Sequence, residues 1–379
     1  MDSSTRELGT RSQRKCSLDS IKTHYPVGLP HVGEEEIQCV VAALRAGQLT
    51  QGPNVRLFEE RFAEYLGAEY AVACSSGTAA LHLAFASLGI GPGDEVLVPD
   101  VTYVATANAV SYTGASPVLV DVDADTWCIS LQDAEQKVSA MTRAILPVHL
   151  YGVPCDMGAM HEFAVRYDID IIEDAAEALG GSWDGHACGT MGLAGTFSFY
   201  ANKVLTTGEG GAVVTDDVDF AETLRRLRGQ AQSPIRRFWH GELGFNYRLS
   251  DIHAAIGLAQ LERLPCALER RQHIVEHYRD RLRHVLLSPE NEGTAPWLYT
   301  ALLPSNVSYN VVQTRLARHD IEVRPIFVPM HRLPMYARPD KQFPVSCQVA
   351  DYGISLPTYP ELTVDDVRFI SDAVLEALQ

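Results

Sequence analysis

The chain has 379 residues, enough for two domains or for one large domain with an appendage. Its 46% hydrophobic and 21% charged residues are typical of a soluble globular protein. A formal net charge of −17 argues against nucleic acid or an anionic membrane surface as a partner, because no basic field exists to attract polyanions. No apolar run approaches the roughly 20 residues that a membrane span needs.

The N-terminal segment and the cysteines indicate the cellular context. Residues 1–26 start as a polar, partly basic stretch without an apolar core, so we expect a flexible tail and not a secretory signal. The eight cysteines form no Cys-x-x-Cys pair and no Cys/His cluster with zinc spacing, so no metal site is expected. Reduced thiols of this kind favour a cytoplasmic location.

From residue 34 the chain alternates between amphipathic helices and short apolar strands, recognised by their hydrophobic periodicity. In chain order, helices are predicted over residues 34–45, 55–66, 79–88, 105–112, 157–167 and 220–228. Strands are predicted over residues 70–74, 95–99, 117–122, 144–152, 169–174, 197–200 and 212–215. This alternation predicts an α/β protein with a mainly parallel seven-stranded sheet that is covered on both faces.

Small polar residues separate the first predicted strand from the helix that follows it. The free backbone N–H groups and the dipole at a helix start favour a bound anion, Gly77 permits close approach, and Thr78 adds a hydroxyl. A simple helix N-cap by Ser76 or Thr78 is the alternative. The residues of this segment leave both interpretations open.

Asp174 stands at the end of the predicted strand 169–174. A carboxylate in that position is costly unless a cation or a hydrogen-bond donor meets it, so a protonated heterocycle is a reasonable partner. The alternative is that Asp174 caps a helix beginning at Ala175.

Lys203 follows the aromatic strand 197–200 and precedes a glycine turn at residues 210–211. A lysine held in this way can stay partly desolvated and can form a Schiff base with an aldehyde, although an ordinary solvated loop lysine is the alternative. Ligands of parallel sheets bind at the carboxyl ends of the strands. Ser76, Asp174 and Lys203 each follow such an end, so we expect them to converge.

The C-terminal third has a different pattern. A polar, aromatic loop over residues 236–251 leads into a helix at 252–264, Pro265 is expected to form a hinge, and a second long helix is predicted at 267–287. Mixed strands and helices then predict a smaller α+β domain. The proposed division is a tail over residues 1–26, a large domain over 27–264 and a small C-terminal domain over 265–379.

Five segments together resemble the sugar aminotransferases of the DegT/DnrJ/EryC1/StrS family. They cover residues 75–81, 173–176, 197–203, 206–211 and 244–248. The resemblance runs from about residue 27 to the C-terminus. It implies the aspartate-aminotransferase fold (fold type I) and a pyridoxal 5'-phosphate cofactor, with pyridoxamine 5'-phosphate as the aminated form.

The resemblance implies roles for the residues around the expected cofactor. Lys203 would form the Schiff base and carry protons, and Asp174 would keep the pyridinium nitrogen protonated so that the ring is an electron sink. The phosphate would be held by a set of small residues, namely Ser76, Gly77, Thr78 and Ser198. Glu177 stands where many members carry Gln or His near the cofactor's 3-hydroxyl.

Further roles implied by the resemblance involve an aromatic ring and a second subunit. Tyr103 would stack against the pyridine face and limit its tilt. Asn246 would reach the cofactor phosphate of the neighbouring subunit, so the protein is expected to be a homodimer with shared active sites.

The substrate expectation also follows from the resemblance. One branch of the family has His in place of the lysine and performs a dehydration, so the intact Lys203 favours transamination. Residues 199–203, 206–211 and 236–239 are most similar to members that transfer the amino group of L-glutamate to carbon 4 of GDP-4-keto-6-deoxymannose. Arg324 and His331 are then expected near the sugar or its diphosphate. A dTDP-keto-sugar, a 3-keto sugar, a keto-cyclitol and a non-catalytic cofactor binder remain alternatives.

Overall fold

The computed structural model describes residues 24–379, and the tail residues 1–23 lie outside this description. The helices are α1 Glu34–Ala46, α2 Pro53–Leu66, α3 Gly77–Ser87, α4 Ala105–Tyr112, α5 Leu131–Lys137, α6 Met157–Tyr167, α7 Val218–Arg228, α8 Asp251–Leu282, α9 Tyr309–Ala317, α10 Pro344–Tyr352 and α11 Val364–Ala377. The strands are β1 Tyr70–Cys74, β2 Glu95–Pro99, β3 Ser116–Val120, β4 Thr142–Ile145, β5 Asp170–Asp174, β6 Ser182–Trp183, β7 His186–Ala187, β8 Ala194–Ser198, β9 Gly211–Thr215, β10 Tyr299–Leu302, β11 Arg324–Pro325 and β12 Gly353–Leu356.

Short polar side chains start several of these helices. Ser76, Ser130, Asp156 and Asp217 each have extended backbone and accept a hydrogen bond from the N–H three residues later. Such a cap satisfies one of the free N–H groups of the first turn and is worth about 1 kcal/mol. The N-cap interpretation of Ser76 is therefore confirmed, and it places the start of α3 directly after β1.

The central sheet has seven strands in the order β1-β9-β8-β5-β4-β2-β3. Strand β9 is antiparallel to both of its neighbours, and every other pairing in the sheet is parallel. The expectation of a mainly parallel seven-stranded sheet is confirmed. The carboxyl ends of β1, β5 and β8 therefore meet at one edge.

Aromatic packing fixes the strand that leads to Lys203. Phe199 lies edge-on to Phe58 and Phe62 of α2, with ring centroids 5.3 and 5.1 Å apart, and Phe62 also meets Phe197 edge-on at 5.1 Å. Such pairs add about 0.5–1.5 kcal/mol each beyond the burial of their area. The turn carrying Lys203 thus starts from a rigid base.

A second, smaller sheet lies in the C-terminal part of the chain. Its antiparallel strands have the order β10-β12-β11, and α9 and α11 share a buried core with the C-terminal half of α8. The expected α+β character of this part is confirmed. Tyr25, which the sequence assigned to the tail, is buried in this core and donates a 2.9 Å hydrogen bond to Asp366. The structured chain therefore begins before residue 27.

The predicted helix break at Pro265 is wrong. Helix α8 runs through Pro265 from Asp251 to Leu282, although a proline in a helix interior costs roughly 3 kcal/mol. The N-terminal half of α8 shares a buried core with α2 and bonds to α1 through Gln260 and Glu36, and the other half shares a core with α11. Burial on both sides of Pro265 offsets the missing hydrogen bond. The proposed domain boundary at residues 264/265 lies inside this helix and remains a prediction.

The predicted strand 144–152 is also shorter than expected. Strand β4 ends at Ile145, because Pro147 has no N–H to continue the ladder, and only an isolated bridge joins Val148 to Asp174. A tight turn at Leu150–Gly152 follows, in which Tyr151 has left-handed backbone angles (φ 52°, ψ 21°). Within residues 24–379, no helix combines the length and apolar character needed to cross a membrane.

Candidate active site

A cleft of about 450 Å³ opens at the carboxyl edge of the central sheet, where the small sheet meets it. Its walls come from the ends of β1, β5 and β8, from the start of α4, and from β11. The residues of the cleft used below are Ser76, Gly77, Thr78, Tyr103, Thr106, Tyr151, Asp174, Glu177, Ser198, Asn202, Lys203, Trp297, Arg324 and Phe327. The expected convergence of Ser76, Asp174 and Lys203 is therefore observed.

Lys203 occupies a tight turn, in which its N–H donates to the carbonyl of Tyr200 at 2.9 Å. Its Nζ lies 3.3 Å from Oε1 of Glu177 and 3.8 Å from the centroid of the Trp297 ring. The side chain is only 13% exposed. The amine is therefore partly desolvated and directed into the cleft, and not a freely solvated loop lysine.

Asp174 is buried at the end of β5, and no helix follows it, since residues 175–180 form turns. The helix-cap interpretation is wrong. Thr106 donates to Oδ2 of Asp174 at 2.9 Å, and the backbone N–H of Ala176 donates to Oδ1 at 3.2 Å. Burial raises the pKa of Asp174, while these two bonds and the charge of Lys203 oppose that rise. Within residues 24–379, no lysine, arginine or histidine nitrogen forms an ion pair with this carboxylate. A protonated ring nitrogen of a ligand fits this need.

Glu177 is the second buried carboxyl group of the cleft. Its Oε2 accepts the backbone N–H of Tyr151 at 2.9 Å, and the left-handed turn at Tyr151 presents that N–H. Burial raises the pKa of Glu177, while Lys203 and the N–H of Tyr151 lower it. A strained residue that positions a charged partner is a common feature of functional sites.

One end of the cleft suits a phosphate group. The N-terminal N–H groups of α3 have no acceptor within the helix, and they carry partial positive charge. Gly77 packs so closely on Ser198 that a Cβ on Gly77 would lie 2.8 Å from the Ser198 Cβ. Thr78 and Ser198, which both carry a hydroxyl, also line the cleft. These residues fit the phosphate of pyridoxal phosphate.

One buried polar atom of a residue that lines the cleft has no hydrogen-bond partner among the described residues. This atom is Oδ1 of Asn202. An unpaired buried acceptor costs about 1–3 kcal/mol, so a ligand donor in the cleft would relieve this cost. The residues present therefore fit a bound polar group.

The opposite wall is aromatic, and sequence reasoning missed most of it. Tyr151 stacks between Trp297 and Phe327, at centroid distances of 5.9 and 5.5 Å. Tyr103, which is 58% exposed, touches Phe327 edge-on at 5.8 Å. Thr106 was missed as well, although its position four residues after Thr102 on a helix start is a usable signal. For Trp297, the usable signal is its position at the end of a polar loop.

Two expected site residues lie outside the cleft. Asn246 is exposed and accepts hydrogen bonds from Arg248 at 3.0 and 3.2 Å. His331 is buried behind the cleft wall and bonds to Asp100 and Asp340. Its two ring nitrogens are directed to these carboxylates and not into the cleft, and its approach to the sugar stays a prediction. Arg324 lines the cleft as expected.

Comparison with known proteins gives the same class as the fold and the site. Residues 30–375 match the DegT/DnrJ/EryC1/StrS aminotransferase family. The GDP-perosamine synthase of Caulobacter vibrioides is 45% identical over 336 residues, covering 85% of this chain and 88% of that protein. The GDP-perosamine synthase of Escherichia coli O157:H7 is 39% identical, covering 93% and 98% respectively. The PLP-form of Spr1654 from Streptococcus pneumoniae superimposes with a TM-score of 0.88 at 28% identity, covering 94% of this chain and 100% of that one.

The fold and the lysine-centred cleft define a pyridoxal-phosphate-dependent aminotransferase. The chain belongs to the DegT/DnrJ/EryC1/StrS aminotransferase family. The expected fold, enzyme class and cofactor are confirmed.

Proposed function

We propose that this protein transfers the amino group of L-glutamate to carbon 4 of GDP-4-keto-6-deoxymannose. The observation that carries the proposal is that Lys203, Asp174 and Glu177 meet in one cleft together with the N-terminus of α3. The substrate assignment is supported by the relatives named GDP-perosamine synthase, two of which are described above. The chain covers most of the length of both relatives, so the whole catalytic unit is available for comparison.

The proposed work of the individual residues follows from their positions. Pyridoxal phosphate, when bound, supplies an electron sink for the negative charge that develops at the substrate carbon. Asp174 holds a proton on the ring nitrogen, because a buried carboxylate is stabilised by an adjacent positive charge. The Lys203 amine accepts and returns the proton at the reacting carbon. A positioned acid–base group of this kind contributes about 10²–10⁴-fold to the rate.

Glu177 and Trp297 control the lysine. Glu177 contacts the lysine amine at 3.3 Å, and the Trp297 ring covers the amine at 3.8 Å. A cation over an indole face in a desolvated site is stabilised by roughly 2 kcal/mol. Together they define the direction of the amine and exclude water from it.

Arg324 is proposed to bind an anionic part of a substrate. It is part of the cleft wall, its side chain is 42% exposed, and Nε bonds to Glu322 at 3.1 Å. The planar guanidinium suits a carboxylate of glutamate or a diphosphate oxygen.

The acceptor is tested by mass spectrometry of reactions containing pyridoxal phosphate, L-glutamate and one keto-sugar nucleotide each. The panel comprises GDP-4-keto-6-deoxymannose and dTDP-4-keto-6-deoxyglucose, with the Lys203→Ala variant as the enzyme control. An amino sugar from the GDP substrate alone supports the proposal. Product from the dTDP substrate alone contradicts the proposed nucleotide and sugar while it keeps the chemistry. Bleaching of the cofactor absorbance by glutamate without any sugar product directs the search to 3-keto sugars and keto-cyclitols. No bleaching at all contradicts catalysis itself.

We further propose a homodimer with shared active sites. Asn246 is exposed and lies outside the cleft of its own chain, as a residue acting on a neighbouring site would. Nearby side chains of the same loop are apolar and exposed, namely Ile235, Phe238, Trp239 and Leu243. Their exposure in the single chain suits burial against a second copy.

A mixture of two inactive variants tests the sharing of sites. A Lys203→Ala subunit retains Asn246, and an Asn246→Ala subunit retains Lys203. If Asn246 acts across the interface, co-expression restores one complete site per mixed dimer and hence part of the wild-type turnover. Turnover of the mixture no higher than the mean of the two variants contradicts this proposal.

A further inference from the structure

Three metal-binding side chains come together behind the cleft wall. They are His331, Asp340 and Cys347, and their ligand atoms all lie within 4.8 Å of one another. Eight residues lie between His331 and Asp340 and six between Asp340 and Cys347, which matches no zinc-ligand spacing. The expectation of no metal site followed from that spacing, and the fold brings the three residues together without it.

The two distances from His331 to the other ligand atoms suit one tetrahedral ion. His331 Nε2 lies 3.1 Å from Oδ1 of Asp340 and 3.7 Å from Sγ of Cys347. Zn²⁺ binds nitrogen and oxygen at about 2.0–2.1 Å and sulfur at about 2.3 Å, so a tetrahedral angle separates N from O by about 3.3 Å and N from S by about 3.6 Å. The observed separations agree with both values to within a few tenths of an ångström.

His331 is held in the orientation that a metal ligand requires. Its Nδ1 lies 2.6 Å from Oδ2 of Asp100, and its backbone N–H donates to Oδ1 of the same carboxylate at 2.8 Å. The imidazole also stacks on Phe343, with ring centroids 4.6 Å apart. With Nδ1 held by Asp100, Nε2 is directed towards Asp340 and Cys347. A carboxylate behind a ligating histidine is the usual arrangement in zinc proteins.

The charges around the three ligands favour a cation. Arg332 binds Oδ2 of Asp340 at 3.1 Å and pairs with Asp351 at 2.5 Å, which leaves Oδ1 of Asp340 facing His331. Arg332 thus pairs with Asp340 and Asp351, Asp100 holds His331 from behind, and Lys137 lies over the outer Phe343 ring, so three carboxylates lie around the cluster together with two cationic side chains. Binding of a divalent ion would replace the hydrogen bond between His331 Nε2 and Asp340 and would release the Cys347 thiol proton to solvent.

From this geometry we propose that His331, Asp340 and Cys347 bind a single divalent transition-metal ion, with Zn²⁺ the best match, and that a water completes the tetrahedron. The Asp340 side chain is 62% exposed, so solvent reaches the open position. This site is separate from the cleft and does not depend on the proposed aminotransfer.

The ion would connect three segments that support the cleft. The N–H of Met330 donates to the carbonyl of Asp100 at 2.8 Å, and the segments around these two residues carry Phe327 and Tyr103, which touch at the cleft wall. Cys347 adds helix α10 to this assembly. The metal would therefore stabilise the aromatic wall of the cleft from behind.

The test is metal binding to the chelator-treated holoenzyme. Zn²⁺ binding is followed by calorimetry and elemental analysis. Co²⁺ binding is followed by absorbance, and the spectrum of Cys347→Ser is subtracted from that of the wild type so that the cofactor absorbance cancels. We expect one ion per chain, a thiolate-to-cobalt band in the difference spectrum, and a Zn²⁺-dependent rise in melting temperature. Loss of a ligand should weaken Zn²⁺ binding by at least the roughly 10–100-fold seen for loss of an outer-shell partner. Cys347→Ser and Asp340→Asn should both show this loss.

The exposed Cys266 provides the matched control, because Cys266→Ser removes a thiol far from the cluster in sequence and should change nothing. Melting temperatures in chelator establish that each variant folds like the wild type. The proposal is overturned if no stoichiometric ion binds, if the bound ion gives no thiolate band, or if Cys347→Ser binds Zn²⁺ as tightly as Cys266→Ser.

Discussion

The Nζ atom of Lys203 lies 3.3 Å from Oε1 of Glu177, and both side chains are largely buried, at 13% and 6% exposure. The other oxygen of Glu177 accepts the backbone N–H of Tyr151, which has left-handed backbone angles. The Tyr151 ring is stacked between Trp297 and Phe327. The lysine amine is thus positioned by a carboxylate that is itself positioned by strained backbone. The site is organised by this chain of contacts before any ligand arrives.

Replacement of the lysine should remove activity without removing the fold. We expect Lys203→Ala to lower turnover by at least about 10²–10⁴-fold, because among residues 24–379 no other lysine lines the cleft. Lys203→Arg keeps the positive charge but cannot form a Schiff base, so it should be equally inactive. Turnover assays and circular dichroism check both variants, and substantial activity in Lys203→Arg would show that only charge is needed.

The Thr106 hydroxyl should affect activity through its hydrogen bond to Asp174. Thr106→Val keeps the shape of the side chain and removes its 2.9 Å hydrogen bond to Oδ2. A bond to a charged group is worth about 1.5–3 kcal/mol, so kcat/KM should fall by about 10–100-fold. Thr102→Val is the matched control, because Thr102 bonds to Thr106 at 3.0 Å, whereas only Thr106 of the two threonines bonds to Asp174. Equal losses in the two variants would contradict a specific role for Thr106.

Asp174→Asn should separate activity from stability. Loss of the charge that holds the ring proton should lower turnover by about 10²–10³-fold, the range for removal of one preorganised electrostatic group. In the cofactor-free protein, however, the buried carboxylate has a raised pKa, so the folded state holds its proton more tightly than the unfolded state. Wild-type stability is therefore lost as the pH rises from the ordinary value of 3.8 through the raised pKa.

The Asp174→Asn variant has no carboxylate at this position, so it does not lose stability in this way as the pH rises. Its free energy of unfolding should exceed that of the wild-type apoprotein at neutral pH, and the difference should shrink as the pH falls towards 4. Denaturant unfolding of both apoproteins across this pH range measures the difference. A difference that grows as the pH falls would mean that Asp174 is stabilised in its charged form even without a ligand.

The continuous course of α8 predicts that Pro265→Ala stabilises the protein. Alanine restores the N–H that can bond to the carbonyl four residues earlier, at an exposed position where no packing is lost. The free energy of unfolding should rise by about 1–2 kcal/mol, which is less than the full cost of a helical proline, because alanine also gives the unfolded chain more conformational freedom. Pro344→Ala is the control, because Pro344 occupies the first turn of α10, where proline is tolerated. A lower unfolding midpoint for Pro265→Ala would indicate that the proline is needed at this point of the helix.

Several features of the site could be predicted because they depend on local sequence. The β1–α3 junction contains a strand, a helix cap and a glycine, the strand that ends in Asp174 is an apolar run, and the turn that carries Lys203 lies between an aromatic strand and a glycine pair. Parallel pairing then brings equivalent strand ends to one edge of the sheet. The prediction of α8 failed for the opposite reason, since packing on α1, α2 and α11 overrode the local effect of Pro265.

By itself, the sequence determined the α/β class, the mainly parallel sheet and the lysine and aspartate at its carboxyl edge, because periodicity and turn residues act over a few neighbouring positions. Only the tertiary structure decided which distant side chains surround them. It brought Trp297 over Lys203, Thr106 to Asp174, and His331 to Asp340 and Cys347, away from the cleft where it was expected. These contacts depend on how the small sheet packs against the large one, and that packing sums many weak interactions that no single segment encodes.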